Sequence, residues 1–246
     1  MNSPDSKLKT QNLKLISVIL PTYNEAENIR EMIQRINRSL EGAVEIIVVD
    51  DDSPDRTWAI VEKMEMKNAK LVRRIGVKGL ASAIARGIAE STGEIVAWLD
   101  CDLSMPPETL PQLVQSLSDA HIAVASRYAT GGKDLRPPLR TLTSKLINFL
   151  ARIILRIPVR DCDSGYIAAR KSVFDAVPLI TSGYGEYCID FLHRAAKHGF
   201  IIKEIPYTFT DRSHGTSKTT QNLFSFALLG FRYVLCILKL RFIKIK

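Results

Sequence analysis

Residues 46–58, IIVVDDDSPDRTW, decide the fold. The β-branched run Ile46–Val49 is too short for a helix and reads as a buried strand, stopping at Asp50-Asp51-Asp52. Ser53-Pro54-Asp55 then opens a helix through Trp58, Ile60 and Val61. The same order recurs on both sides. Leu15–Leu20 (LISVIL) breaks at Pro21, and Asn24 is placed to cap a helix with Ile29, Ile33 and Ile36 on one face. Further on, the Ala-rich Leu80–Ala89 forms a helix that Gly93 ends, and Ile95–Leu99 is a strand ending in Asp100. Pro106-Pro107-Glu108 starts the next helix, with proline in the first turn where its missing N–H costs nothing. Ile122–Ala125 is a fourth strand, ending at Ser126-Arg127. Strand alternating with helix predicts an α/β fold with a mostly parallel central sheet flanked by helices. In such sheets ligands gather beyond the carboxyl ends of the strands, and every polar cluster named above falls there.

Past residue 128 the alternation loosens. Gly131-Gly132 and Pro137-Pro138 lead into an amphipathic stretch Leu142–Leu155, then Asp161–Gly165, a helix near Ile189–Lys197 and a strand near Ile201–Phe209. Residues 1–14 read as a flexible N-terminus, 15–219 as one catalytic domain, and 220–246 as a separate amphipathic helix.

The chain has 246 residues, 46% hydrophobic and 24% charged, which excludes a disordered protein. Its net charge of +8 invites a nucleic-acid reading, but residues 1–200 hold 26 basic and 24 acidic residues, and residues 201–246 hold 8 and 2. The excess sits in the tail, so a nucleic-acid partner is not expected. Four cysteines (101, 162, 188, 236) show no CxxC pairing, HExxH is absent, and no h-region precedes Leu15. A reducing, cytoplasmic setting is expected, with carboxylates as the route to any metal.

The tail Leu223–Ile245 is apolar but carries Arg232, Lys239, Arg241 and Lys244. As a helix it would be ~34 Å long at ~1.5 Å per residue, enough to cross a hydrocarbon core. Arg232, Lys239 and Lys246, seven apart, form a cationic stripe that favours a helix lying in the membrane interface. A packed C-terminal helix is the alternative.

Asp100-Cys101-Asp102 at a strand exit offers two hard oxygen donors suited to Mg²⁺ or Mn²⁺, or else a solvated turn. Asp50-Asp51-Asp52 and Pro21-Thr22-Tyr23-Asn24-Glu25 share that edge. Carboxylates so grouped repel by roughly 4 kcal/mol for a pair 4 Å apart at an effective dielectric near 20, unless a cation or N–H donor relieves them. Asp51, Asp52 and Asp55 are equally candidates to cap the following helix. Neither GxGxxG nor GxxxxGK[ST] occurs.

Seven segments in order carry a resemblance: PTYNE (21–25), VVDDDSPDRTW (48–58), KGLASA (78–83), LDCDLSMPPE (99–108), SRY (126–128), DCDSGY (161–166) and DRSHGTSK (211–218). Together they resemble the inverting family 2 glycosyltransferases of GT-A fold, most closely the dolichyl-phosphate mannose synthases. The resemblance implies transfer of mannose from GDP-mannose to dolichyl (polyprenyl) phosphate by a peripheral protein on the cytoplasmic face of a membrane. Glucose or N-acetylhexosamine from a UDP-sugar is the near alternative, and a non-catalytic nucleotide-binding module the distant one. It places Pro21, Tyr23, Glu25, Asp51 and Lys78 on the nucleotide side, with Cys101 between the DxD carboxylates. Asp100 and Asp102 would bind the divalent ion, with Ser104 as a further ligand or water anchor. Arg127, Arg140, Ser144, Arg212 and Lys218 would meet phosphates. Lys133 and Arg136 read as solvated charges, and Glu186 and Asp190 as structural or helix-capping. Asp163 departs from relatives, which often carry Thr there.

The chemistry such a set must perform is modest. A lipid monophosphate has a second pKa of ~6 and is already largely dianionic at neutral pH, so no general base is required. Catalysis reduces to alignment and to stabilising the departing nucleoside diphosphate.

Overall fold

The computed structural model describes residues 15–40, 42, 44–182, 185–211 and 223–242. The first half runs β1 (Ile16–Thr22), α1 (Ile29–Ser39), β2 (Val44–Asp50), α2 (Thr57–Lys63), β3 (Ala69–Arg73), α3 (Leu80–Glu90) and β4 (Ile95–Trp98). A short 3₁₀ turn at Pro107–Thr109 leads into α4 (Leu110–Ser116), followed by β5 (Ile122–Ser126), β6 (Lys133–Asp134) and α5 (Pro138–Leu155). The chain continues through β7 (Ile167–Arg170), α6 (Val173–Ala176), α7 (Glu186–Lys197), β8 (Ile202–Pro206), β9 (Thr208–Phe209) and α8 (Leu223–Phe242).

Seven strands form the main sheet in the order β3-β2-β1-β4-β7-β5-β8. All neighbours are parallel except β7, which is antiparallel to β4 and β5. The sheet is apolar on both faces, as parallel sheets covered by helices must be. Strand residues alternate between two cores. Ile19, Ile47, Val49, Val96 and Trp98 pack with α3, α5, α7 and α8. Val18, Leu20, Ile46, Val48 and Ala97 pack with α1, α2 and α4. Helix α3 approaches β1 so closely that a Cβ on Gly87 would lie 2.4 Å from Ile19 Cγ2, which is why a glycine occupies that helical position.

The topology positions the site. Strand order reverses between β1 and β4, and the crevice at such a switch point lies beyond the carboxyl ends of those strands. Thr22 pairs with Asp50, and Ile19 with Trp98, so the segments after β1, β2 and β4 leave the sheet side by side.

Several expectations need correction. Asn24 does not cap α1; it sits at φ 59°, and the helix starts at Ile29 after a turn in which Glu25 O accepts from both Asn28 N and Ile29 N. The strand near Ile201–Phe209 is two, broken at Tyr207, because β9 leaves the main sheet to pair with β6. β3 and β7 carry no apolar run of four: AKLVR is an edge strand that needs only one apolar face, and IAAR is short and small. In the tail, Tyr233, Ile237 and Leu240 are buried in the core that includes α5 and α7. Arg232 stays exposed and forms an ion pair with Glu186 at 3.3 Å, and Lys246 lies outside the described residues. No helix among the described residues is long and apolar enough to cross a membrane.

Candidate active site

The loops after β1 and β2 are laced together by side chains of the second onto amides of the first. Asn24 N donates to Ser53 Oγ (3.0 Å), Glu25 N to Thr57 Oγ1 (2.9 Å) and Ala26 N to Asp55 Oδ2 (2.9 Å). Asp55 also accepts from Thr57 N, so of the three helix-capping candidates it is the one that serves α2. Asp50 is buried and accepts from Thr22 Oγ1, Ser53 N and Ser53 Oγ.

The repulsion expected among these carboxylates is relieved by arginines. Asp51 is gripped by Arg74 through Nε at 2.7 Å and through Nη2, and accepts from Gly79 N at 2.8 Å. Asp52 pairs with Arg73, whose guanidinium lies 3.6 Å from the centre of the Trp58 ring. Asp51 therefore folds the 74–79 loop over the site through Arg74 and Gly79. That loop delivers Lys78, whose Nζ donates to the Tyr23 hydroxyl at 2.9 Å and lies over the same ring. The hydrogen bond to Tyr23 is the main reason the Lys78 ammonium is held above its ordinary pKa. Tyr23 and Lys78, 55 residues apart, thus share one wall.

Beyond β4, Asp100 N donates to Met105 Sδ, and Leu103 takes φ 63°, turning the chain sharply after Asp102. Asp102 is buried and accepts from Ser104 N (3.1 Å) and Ser104 Oγ (2.5 Å). Ser104 accordingly spends its hydroxyl proton on aiming Asp102. Cys101 is buried; burial first, then the charges of Glu25, Asp102, Asp100 and Asp50, pushes its thiol well above the ordinary value. It acts as a small apolar spacer with four carboxylates in its electrostatic neighbourhood. Among the described residues no group of three or more His, Cys, Asp or Glu is arranged to hold an ion. Two carboxylates still fit Mg²⁺ or Mn²⁺, which commonly bind through one or two carboxylates and fill the remaining shell with water and substrate phosphate oxygens.

The cations behave unequally. Arg127 is buried with Asp161: its Nε and Nη2 donate at 2.8 and 2.7 Å to the two carboxylate oxygens, and its backbone N adds a third bond at 2.8 Å. A guanidinium so engaged shapes the DCDSGY loop, with its Nε and Nη2 turned to Asp161. Arg136 is not a free surface charge either, since it makes a bidentate pair with Asp134. Burial opposes ionisation of Asp134, but Arg136 outweighs it and brings the carboxyl down to about 2. Arg140, in the first turn of α5, is partly exposed and lies 3.9 Å from Asp211. Ser144, one turn on, is buried and hydrogen-bonded to Tyr128. Arg212 and Lys218 lie outside the described residues, in the segment directly after Asp211.

Two residues escaped sequence reasoning. Asn148, on the inner side of α5, accepts with one Oδ1 from Cys162 N (2.6 Å) and Asp163 N (3.1 Å), and returns Nδ2 to Ser144 O (2.9 Å). Tyr233 of α8 donates to Asp163 at 3.0 Å. The only local signal for Asn148 was a polar residue on an apolar helix face; nothing local marked Tyr233. Glu186 and Asp190 have structural partners in Arg232 and Arg194.

Residues 17–177 match the family described as glycosyl transferase family 2. The chain belongs to this family. This family 2 chain is 41% identical over 209 residues to the dolichol-phosphate mannosyltransferase of Pyrococcus furiosus, across 82% of itself and 58% of that protein. It therefore spans less than two thirds of the length of that relative. It is 34% identical over 211 residues to the polyprenol monophosphomannose synthase of Mycolicibacterium smegmatis, across 82% of itself and 79% of the relative. Its fold superposes with a TM-score of 0.70 on glucosyl-3-phosphoglycerate synthase from Mycobacterium tuberculosis, a complex with Mn²⁺, UDP and glucosyl-3-phosphoglycerate. That likeness covers 95% of this chain and 82% of the other at 22% identity, and establishes the GT-A-like fold alone.

Proposed function

We propose that the protein transfers mannose from GDP-mannose to dolichyl or another polyprenyl phosphate with inversion at the anomeric carbon. The observation that carries this reading is that relatives 41% and 34% identical are both named for mannosyl transfer to a polyprenol or its phosphate. Residues 15–219 hold the chemistry, and residues 220–246 attach the protein peripherally to the cytoplasmic face of the membrane that carries the acceptor.

Pro21, Tyr23, Glu25 and Lys78 take the nucleotide side, with the Tyr23 and Lys78 pair as its most exposed cationic element. Asp100 and Asp102, with Cys101 as spacer and Ser104 aiming Asp102, would hold Mg²⁺ or Mn²⁺. When bound, that ion offsets negative charge on the leaving group. Arg140, Ser144, Arg212 and Lys218 receive the acceptor phosphate and screen it from the donor's diphosphate. An acceptor phosphate oxygen then attacks the anomeric carbon, the bond from that carbon to the diphosphate oxygen breaks, and GDP departs with its electron pair. The acceptor is already dianionic, so the chain supplies alignment and positive charge, not a base.

A radiolabelled assay offering GDP-mannose, UDP-glucose and UDP-GlcNAc in parallel with a polyprenyl phosphate tests the reading. Mannosyl lipid should form from GDP-mannose only, and Asp102→Asn should lower it by roughly 100-fold or more. Product from a UDP-sugar instead would replace the donor; full activity of Asp102→Asn in excess chelator would remove the ion.

A further inference from the structure

Tyr233 carries a hydroxyl that its apolar surroundings do not call for. It lies on the side of α8 that also buries Ile237 and Leu240, in a core where phenylalanine would pack as well. A buried phenol O–H needs a partner, and this one donates to Asp163 Oδ1 at 3.0 Å. The other wall of the contact is Gly185, the residue before α7. Its φ of −98° is open to any residue, so the backbone does not require glycine there. A Cβ on it would overlap the Tyr233 hydroxyl and lie 2.8 Å from Asp163 Oδ1 and 3.0 Å from Tyr233 Cζ. Room for the bond between Tyr233 and Asp163 is what the missing side chain provides. Arg232 pairs with Glu186 at 3.3 Å, so α8 meets the start of α7 at neighbouring residues.

Asp163 passes this contact on. Its N donates to Asn148 Oδ1 at 3.1 Å and its O accepts from Arg127 Nη2 at 3.3 Å. Three elements thus converge on one residue of the DCDSGY loop, α8 on its side chain and α5 and the exit of β5 on its backbone. Asn148 in turn donates to Ser144 O at 2.9 Å, one helical turn earlier, and Arg140 lies one turn before that. The side of α5 assigned above to the acceptor phosphate is therefore bonded, through Asn148 and Asp163, to a tyrosine near the far end of the chain. The donor wall hangs on other bonds, with Asp51 tying the 74–79 loop through Arg74 and Gly79, and Lys78 meeting Tyr23.

We infer that Tyr233 is a positioning residue for the acceptor side of the site: seated against Gly185, its hydroxyl holds Asp163 and, through Asp163 and Asn148, the loop and the helix that present Ser144 and Arg140. Tyr233 acts through Asp163, not on a substrate. The inference rests on the proposed transfer, because that reading says which substrate this side of the site serves. Burial pushes the Asp163 carboxyl up to about 7, so near neutrality much of it carries a proton, and an amide at this position can stand in for it.

Steady-state kinetics of the full chain with GDP-mannose and a polyprenyl phosphate, paired with hydrogen–deuterium exchange of the Cys162 and Asp163 amides, test the inference. Tyr233→Phe keeps the ring and should raise the KM for the polyprenyl phosphate roughly five-fold, the weight of one buried hydrogen bond, with the KM for GDP-mannose within about two-fold of wild type. Gly185→Ala should do the same by displacing the hydroxyl, and Asp163→Asn, which keeps an oxygen for it, should stay near wild type. In an Asp163→Ala background Tyr233→Phe should have little further effect on either KM. Exchange at residues 162 and 163 should quicken roughly five-fold in Tyr233→Phe, with residues 74–79 unchanged. An equal rise in both KM values overturns the inference, since a general loss of packing would give that result. So does an acceptor KM that Tyr233→Phe leaves unchanged. No product from wild type with any donor would sink the transferase reading; exchange alone would then judge Tyr233, faster rates upholding its hold on the loop and unchanged rates overturning it.

Discussion

Replacing Arg127 by Met separates a scaffold arginine from a substrate ligand. The guanidinium and carboxylate of Arg127 and Asp161 are 4% and 0% exposed, and two parallel bonds of 2.8 and 2.7 Å join them. Removing one partner of such a buried pair costs about 3–5 kcal/mol, chiefly because the other charge is left uncompensated. For a chain of this size each kcal/mol moves the melting midpoint by ~2–4 °C, so Arg127→Met should melt roughly 6–20 °C lower. The double variant Arg127→Met, Asp161→Leu replaces the pair with apolar groups of similar bulk and should recover most of that loss. Recovery stays incomplete, because the backbone N–H of residue 127 also donates to Asp161 Oδ2 at 2.8 Å and would be orphaned at a cost of about 1–3 kcal/mol. Urea and thermal denaturation of wild type, both single variants and the double variant close the cycle. A coupling energy below about 0.5 kcal/mol, with Arg127→Met unchanged in midpoint but raised in KM for the lipid phosphate, would refute the scaffold assignment.

Asn148→Ala strips the acceptor from the amides of Cys162 and Asp163 and should cost roughly 2–4 kcal/mol by urea denaturation, with Asn148→Asp, which keeps an acceptor, less damaging; equal loss in both would contradict the clamp. Asp163 is raised to about 7, burial being the main cause and Asp161 adding to it, against Arg127, the Tyr233 hydroxyl and Arg136. Between the usual carboxylate range near pH 4 and about 7 the folded state holds a proton that the unfolded state has lost, so stability falls as pH rises through that window. Asp163→Asn should flatten that slope, and parallel curves of melting temperature against pH for wild type and variant would exclude it. Lys78→Met should raise the KM for the sugar nucleotide about ten-fold, worth ~1.4 kcal/mol, with the melting temperature unchanged; an unchanged KM would remove Lys78 from the donor site.

Legibility followed the range of the interaction. LISVIL, IIVV and IVAWL revealed themselves because a strand covered on both faces needs a continuous apolar run, and that run is local. AKLVR did not, since an edge strand packs one face only, and IAAR did not, since its alanines carry little hydrophobic signal. At the site, Tyr23, Asp100 and Asp102 were evident as polar residues at strand exits, the one place where this topology collects ligands. Lys78 came from the family resemblance, and its meeting with Tyr23 depends on Asp51 folding the intervening loop.

The sequence alone determined the α/β alternation, the sheet edge at which chemistry collects and the family to which the chain belongs, because all three are written in local periodicity and contiguous motifs. Tertiary structure decided which charges are available. Arg73 and Arg74 neutralise Asp52 and Asp51, and Asp161, 34 residues from Arg127, holds that arginine in a buried bidentate pair. It also decided which face of α5 and α8 is left outside. A heptad-like apolar spacing states that a helix has a face to bury; only the packing of the remaining elements states which side the protein covers and which it leaves exposed.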